Sequence, residues 1–155
     1  MRYAELIEKS QETAGLYVAA YYEDESVKRL AAFQHVHDIP NPQDPTDFHT
    51  TIVYSKKRIH WNPMNDLHWL VKPTGWAVWA SRSKEKHALV LLIDSTHLHV
   101  RWKVAMQRGA TYDFDEYRPH ISFSYDVGPD FDVAALPLPG FDIIVSCERA
   151  HELKD

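Results

Sequence analysis

The sequence has a single cysteine, Cys147, no apolar run approaching 18 residues, and no excess of basic residues. One cysteine excludes a disulfide within the chain and suits a reducing compartment. The short apolar runs argue against a transmembrane helix, and the polar first residues argue against a signal peptide. A net charge of -5 is unfavourable for binding long nucleic acid, which relies on many basic contacts to phosphate. We therefore expect a cytoplasmic protein without a membrane partner.

The residues that are present fit one domain spanning 1–155. Hydrophobic residues make up 45% of the chain and charged residues 25%, which allows an ordinary core. The chain also contains five tryptophans and eight tyrosines. Because these side chains carry polar tips, we expect some of their rings at a surface or in a cleft.

Local patterns predict both strands and helices. Strands are expected at residues 16–22, 48–55, 67–71, 76–81, 88–93, 120–125 and 141–148. The third and fourth are expected to form a hairpin around the turn sequence 72–75. Helices are expected at about 23–37, at about 95–108, and near Tyr3, Leu6 and Ile7. This order favours an α+β fold with mainly antiparallel sheet.

Two segments share one motif: residues 49–54, which read HTTIVY, and residues 120–125, which read HISFSY. Each has histidine, any residue, a hydroxyl residue, an apolar residue, any residue and tyrosine. One segment lies in each half of the chain, as an internal duplication would place them. The pattern is short, so its weight comes from its repetition on two predicted strands.

Residues two apart on a strand share a face, so His49 is expected to project with Thr51, and His120 with Ser122. Tyr54 is expected on the opposite face of its strand. Histidine titrates near neutral pH, so one imidazole can accept a proton while the other donates one. The two hydroxyls can donate to phosphate oxygens on which charge develops. This set is suited to cleaving a phosphodiester without a metal.

Each of these residues also has an ordinary structural explanation. The histidines could be half-buried strand residues with hydrogen-bonded rings, and the hydroxyl residues could be simple strand formers. His35 with His37 and His97 with His99 are two apart on predicted helices, where such residues do not face each other. We therefore expect no metal site at those pairs, and no cofactor.

The paired motifs resemble those of the two-histidine (2H) phosphoesterase superfamily, which includes RNA-end cyclic phosphodiesterases. The resemblance extends over nearly the whole chain. It implies a bilobal α+β fold, with mainly antiparallel sheets around a central cleft and a pseudo-twofold axis. It also implies that the catalytic residues are His49, Thr51, His120 and Ser122.

Residues 15–20, 41–45 and 48–53 resemble, more closely, the phage anti-CBASS cyclic-nucleotide phosphodiesterases. That family degrades the cyclic di- and trinucleotide signals of bacterial antiphage immunity, such as cGAMP. The resemblance implies a cyclic oligonucleotide substrate, hydrolysis without a metal, and action in the cytoplasm of the infected host cell.

The same resemblance implies that Tyr17 and Trp79 stack on bases and that Glu148 accepts from a base edge; Trp76 is a second candidate for the stacking ring. Strand alternation places Glu148 on the less apolar face of its strand. Two other functions stay open: a 2′,3′-cyclic phosphodiesterase for RNA ends, and a binding protein that sequesters nucleotides. The sequence does not decide the base preference, the ring size, the oligomeric state, or which histidine is the base.

Overall fold

The sheet has six strands, and a computed structural model describes residues 14–153 of the chain. The strands are β1 (Gly15–Tyr22), β2 (His49–Ser55), β3 (Trp69–Ala80), β4 (His87–Asp94), β5 (His120–Ser124) and β6 (Ile143–Leu153). Their order is β2-β1-β6-β3-β4-β5, and all neighbouring strands are antiparallel. The α+β class with mainly antiparallel sheet is therefore confirmed. The helix predicted near Tyr3 lies outside the described residues.

Two helices, α1 (Asp24–Val36) and α2 (Thr96–Gln107), accompany the sheet, with short 3₁₀ turns at Pro45–Asp47 and Val133–Ala135. Ser95 caps α2, because its side-chain oxygen accepts from the backbone N–H of Leu98 at 3.2 Å. Gly109 follows α2 with a φ of 96°, the left-handed conformation that commonly ends a helix. Neither helix has the length and apolar character needed to cross a membrane.

The same strand-helix-strand unit occurs in each half of the sheet. In the first half, β1, α1 and β2 follow one another, and in the second half β4, α2 and β5 do the same. The second strand of each unit lies at one edge of the sheet, while β6 and β3 pair at its centre. Each edge strand begins with a histidine of the repeated motif. The duplication predicted from the motif therefore extends to the topology.

The predicted hairpin around residues 72–75 is wrong, because these residues lie within the single strand β3. Trp69–Val71 pair with β6, whereas the strand from Lys72 onward pairs with β4. A register shift between Pro73 and Gly75 accommodates the proline, which has no N–H for the ladder. The turn-like sequence thus marks the point where β3 passes from one half of the sheet to the other.

Each helix packs against the half of the sheet that does not contain it. From α1, Gln34 donates to the backbone carbonyl of Phe123 in β5 at 3.0 Å, and Phe33 stacks on Trp76 of β3 with ring centroids 5.6 Å apart. From α2, Arg101 pairs with Glu148 of β6, and the helix also contacts β2. The edge strands β2 and β5 contact each other as well. This crossing of the helices brings the two histidine strands together.

Candidate active site

His49 and His120 are held in the same way at the start of their strands. Nδ1 of His49 lies 2.6 Å from the carbonyl oxygen of Asp47, and Nδ1 of His120 lies 3.0 Å from that of Arg118. A carbonyl oxygen can only accept, so each Nδ1 carries the proton of that hydrogen bond. The neutral rings therefore keep Nε2 as the basic nitrogen.

A cavity of about 340 Å³ is lined by Thr51 of β2 and by His120 of β5. Tyr117 also lines it, and its hydroxyl donates to the backbone carbonyl of Thr51 at 2.8 Å. His49 precedes Thr51 by two residues on the same strand. The structure thus brings the two repeated motifs, which are about seventy residues apart in the sequence, to one opening.

The pKa of His120 lies below its ordinary value of 6.5, chiefly because burial disfavours the charged ring. The hydrogen bond to the carbonyl of Arg118 opposes this decrease, while the charges of His49 and of the Arg118 side chain add to it. His120 is therefore mostly neutral at pH 7.

The two hydroxyl residues differ in their surroundings. The phenolic oxygen of Tyr17 lies 2.9 Å from the side-chain oxygen of Thr51. Burial raises the pKa of Tyr17, so the phenol stays protonated and can donate to Thr51. Ser122, two residues after His120 on β5, is half-buried. Both hydroxyls can therefore orient their protons toward a ligand.

The prediction that Tyr54 faces away from the histidine is wrong. A register shift between β1 and β2 inserts one additional residue into the alternation, so Ile52 and Val53 are both buried. Tyr54 consequently returns to the cavity side, where it is 46% exposed and meets the ring of Tyr17 edge-on at 6.1 Å. The cavity gains an aromatic wall that simple alternation does not predict.

Of the two candidate stacking tryptophans, only Trp79 lies beside a histidine of the motif. Its ring meets that of His120 edge-on at 4.6 Å, and the guanidinium of Arg118 lies 5.4 Å from its centroid. Trp76 instead stacks on Phe33 in the core and donates its indole N–H to a backbone carbonyl at 2.9 Å. The structure therefore favours Trp79 as the ring available to a ligand.

Glu148 is fully enclosed by protein groups. Its two carboxylate oxygens accept from Nε and Nη2 of Arg101 at 2.7 Å and 2.6 Å, and one of them also accepts from Trp61 and from the backbone of Met64. The side chain has no exposed surface. The structure does not present this carboxylate to the cavity, so in this arrangement it holds Arg101 rather than a base.

The face predicted for Glu148 is also wrong. Strand β6 buries Ile143 and Val145, and a register shift against β1 then displaces the alternation by one residue. Glu148 therefore shares the buried face with Val145 instead of lying opposite to it.

The two histidines of α2 contact different aromatic rings. On α2, His97 stacks on Trp69 at 4.7 Å, whereas His99 meets Tyr117 edge-on at 5.2 Å. Between residues 14 and 153, no group of three or more histidine, cysteine, aspartate or glutamate side chains is placed to hold a metal ion.

The loop between α2 and β5 supplies cavity residues that the motif does not predict. They are Tyr112, Asp113, Phe114, Tyr117 and Arg118. The loop has no helical or strand periodicity, so periodicity does not predict where its side chains lie. The available signal is a run of aromatic and charged residues immediately before the second motif.

Solved structures share this fold. A structure described as a phosphoesterase has a TM-score of 0.52 and 13% identity, covering 92% of this chain and 97% of its own. E. coli LigT complexed with phosphate has a TM-score of 0.52 and 12% identity, covering 92% of this chain and 96% of its own. The fold is that of the LigT-like 2H phosphoesterases, as the repeated motif predicts.

Sequence comparison gives a narrower classification. The family profile described as "Anti-CBASS protein Acb1" matches residues 14–155. Anti-CBASS protein Acb1 of Enterobacteria phage T4 is 36% identical over 117 residues, which is 76% of each chain. That of Yersinia phage phiR1-RT is 33% identical over 138 residues, 89% of this chain and 86% of its own. The chain belongs to the Acb1 anti-CBASS family, and the predicted resemblance is confirmed.

Proposed function

We propose that this protein is a metal-independent phosphodiesterase that hydrolyses the 3′-5′ bonds of cyclic di- and trinucleotides and thereby counters CBASS defence in the infected cell. The observation that carries the proposal is the equivalent placement of His49 and His120. Each ring is oriented by a backbone carbonyl, keeps Nε2 as its reactive nitrogen, and comes from one of two edge strands that meet at one cavity. Membership of an anti-CBASS family supports the substrate class.

In the proposed reaction, one imidazole removes the proton from a ribose 2′-hydroxyl. The 2′-oxygen attacks the adjacent phosphorus, and the bond from phosphorus to the 5′-oxygen breaks. The second histidine, as an imidazolium, protonates the leaving 5′-oxygen. A 2′,3′-cyclic phosphate and a free 5′-hydroxyl result, and water opens that ring with the two roles exchanged. Thr51 and Ser122 donate to the non-bridging oxygens as their charge increases.

The lowered pKa of His120 suits the role of the base, because a base must begin the reaction unprotonated. Protonation of His120 removes the base, so kcat/KM should fall as the pH decreases through its pKa. We expect the acidic limb of the kcat/KM profile to have its midpoint below 6.5. A pH-rate profile with a cyclic dinucleotide measures it, and a midpoint above that value would assign the limb to another group.

Tyr17 can serve the reaction through its hydroxyl as well as its ring. Tyr17→Phe keeps the ring but removes the donor to Thr51, so we expect kcat to fall about three- to tenfold, as for loss of one hydrogen bond, with little change in KM. Tyr17→Leu should also raise KM, because it removes the stacking surface. Steady-state kinetics of the two variants separate these roles. Unchanged kcat in Tyr17→Phe would leave stacking as the only role.

The proposal is tested by incubating the protein with 3′,3′-cGAMP or with a nucleoside 2′,3′-cyclic phosphate, each in the presence of a chelator. Linear products from cGAMP, formed faster than ring opening of the mononucleotide, support it. Faster turnover of the nucleoside cyclic phosphate would instead indicate an RNA-end phosphodiesterase. Recovery of intact cGAMP after denaturation of a stable complex would indicate a binding protein.

A further inference from the structure

The sheet face that carries the first repeated motif continues across β1 to β6. Directly paired residues of neighbouring strands point to the same face of a sheet. Ala19 of β1 pairs with Thr51 on one side and with Arg149 of β6 on the other. Tyr21, two residues further along β1, pairs with His49. Arg149 therefore shares its face with Thr51 and His49, and Ala19 places only a methyl group between Arg149 and Thr51.

Arg149 is exposed, and its guanidinium lies over the ring of Tyr21, 4.1 Å from the ring centroid. The same ring stacks against His49, with centroids 5.8 Å apart. One tyrosine thus contacts both the arginine and the first histidine of the repeated motif. A guanidinium that lies over an aromatic ring keeps its N–H donors at its own edge, where they can bind two oxygens of a phosphate.

A substrate with two phosphates needs more positive charge than the cavity itself provides. The chain has a net charge of -5, so the attraction of an anion depends on local cations. Among residues 14–153, the side chains lining the cavity that are charged at neutral pH are Arg118 and Asp113, whose charges are opposite. Arg149 adds a cation on the sheet surface beside Thr51, which lines the cavity.

The position of Arg149 suits a phosphate beside the one that reacts. Neighbouring strands lie roughly 4.8 Å apart, so with β1 between them the backbones of Arg149 and Thr51 are separated by about 10 Å. In the proposed reaction Thr51 donates to the phosphate under attack. A cyclic dinucleotide holds its second phosphate in the same small ring, so that phosphate stays within reach of a long side chain on the same face.

We infer that Arg149 binds the second, non-reacting phosphate of the cyclic oligonucleotide and that Tyr21 holds its guanidinium in place. This inference rests on the proposed function, since it concerns the ligand of the same site. Arg149 is thereby a specificity-determining residue. It favours a substrate that carries a second phosphodiester over a nucleoside 2′,3′-cyclic phosphate, which has only one phosphate.

Arg149→Gln tests the contact, because it removes the charge and keeps a planar polar group. In a His120→Ala background, which limits turnover, it should weaken binding of 3′,3′-cGAMP by about 10- to 100-fold at low salt, as for loss of a charge-assisted hydrogen bond. Salt screens an exposed contact, so this difference should become smaller at about 1 M NaCl. Arg29→Gln is the matched control, since it changes the net charge equally on α1, where Arg29 pairs with Glu25. Isothermal titration calorimetry gives the dissociation constants.

Selectivity provides the second measurement. With His120 intact, Arg149→Gln should lower kcat/KM for 3′,3′-cGAMP and leave that for a nucleoside 2′,3′-cyclic phosphate unchanged. An equal loss for both substrates would mean that Arg149 only holds Tyr21 against His49, which overturns the subsite. Unchanged affinity for 3′,3′-cGAMP, or a loss that does not depend on salt, overturns it even where the parent cleaves this ligand. Binding that depends on Arg149, without cleavage by the parent, would instead overturn the proposed phosphodiesterase and retain the subsite.

Discussion

Replacing His120 or His49 with alanine should lower kcat for cyclic dinucleotide cleavage by about 10²- to 10⁴-fold, the usual contribution of one positioned acid or base. In the proposed reaction both rings act in the same transition state, one removing the proton from the nucleophile and the other protonating the leaving oxygen. The double variant should therefore be only slightly slower than either single variant. Single-turnover cleavage, with the products separated by chromatography, measures the three rates.

The matched control for these variants is His68→Ala. His68 has a 75% exposed side chain and pairs with Glu23 at 2.8 Å on the surface, away from the cavity. Its replacement should leave kcat unchanged. Urea unfolding of all the variants separates loss of chemistry from loss of fold. If His120→Ala remains folded and cleaves as fast as the parent, the assignment of the active site is wrong.

Glu148→Ala should lower the free energy of unfolding by about 3–5 kcal/mol, because it leaves the guanidinium of Arg101 buried without its partner. The indole of Trp61 and the backbone N–H of Met64 lose their acceptor as well. Urea unfolding followed by circular dichroism gives the change. Replacing both members of the pair with apolar residues of similar volume should restore much of the stability.

A second ion pair, which includes a glutamate of β6, provides the control for Glu148→Ala. Arg58 and Glu152 are 2.7 Å apart, but their side chains are 44% and 59% exposed. Glu152→Ala should therefore change the free energy of unfolding by no more than about 1 kcal/mol. If the Glu148→Ala protein has normal stability but no longer binds nucleotide, the structural role is wrong. The carboxylate would then bind the substrate.

The positions of the two histidines could be predicted because the information is local. His49 and His120 begin segments whose composition favours strands, and each is followed two residues later by a hydroxyl residue. The ends of α2 could also be predicted from local sequence. Ser95 has the side chain that the start of a helix requires, and Gly109 has the backbone freedom that its end requires.

The incorrect predictions concern strand residues whose direction depends on pairing with another strand rather than on local alternation. Alternation in β2 and β6 is interrupted by register shifts, which reverse the faces of Tyr54 and Glu148. A shift of this kind depends on the partner strand and leaves no trace in the period-two pattern. The turn sequence in β3 is misleading for a related reason, since its two parts pair with different strands.

The positions of the cavity residues in the loop between α2 and β5 could not be predicted for a different reason. Loop residues have no periodicity from which direction can be inferred, and their positions depend on contacts across the fold. Tyr117, for instance, reaches the cavity because its hydroxyl bonds to the backbone of β2. A single sequence shows that the loop is aromatic, but not which cavity its rings enter.

Because each helix packs against the other half of the sheet, the distance between the two imidazoles depends on contacts between both halves of the chain. Because Gln34 of α1 bonds to the strand that carries His120, a disturbance early in the chain is transmitted to the later motif. Severing the chain between β3 and β4 would place α1 and β5 on different fragments, and likewise α2 and β2, although these elements contact each other in the intact protein. Fragments representing the two repeats should therefore need each other in order to fold, and a catalytic dyad would form only when they reassociate.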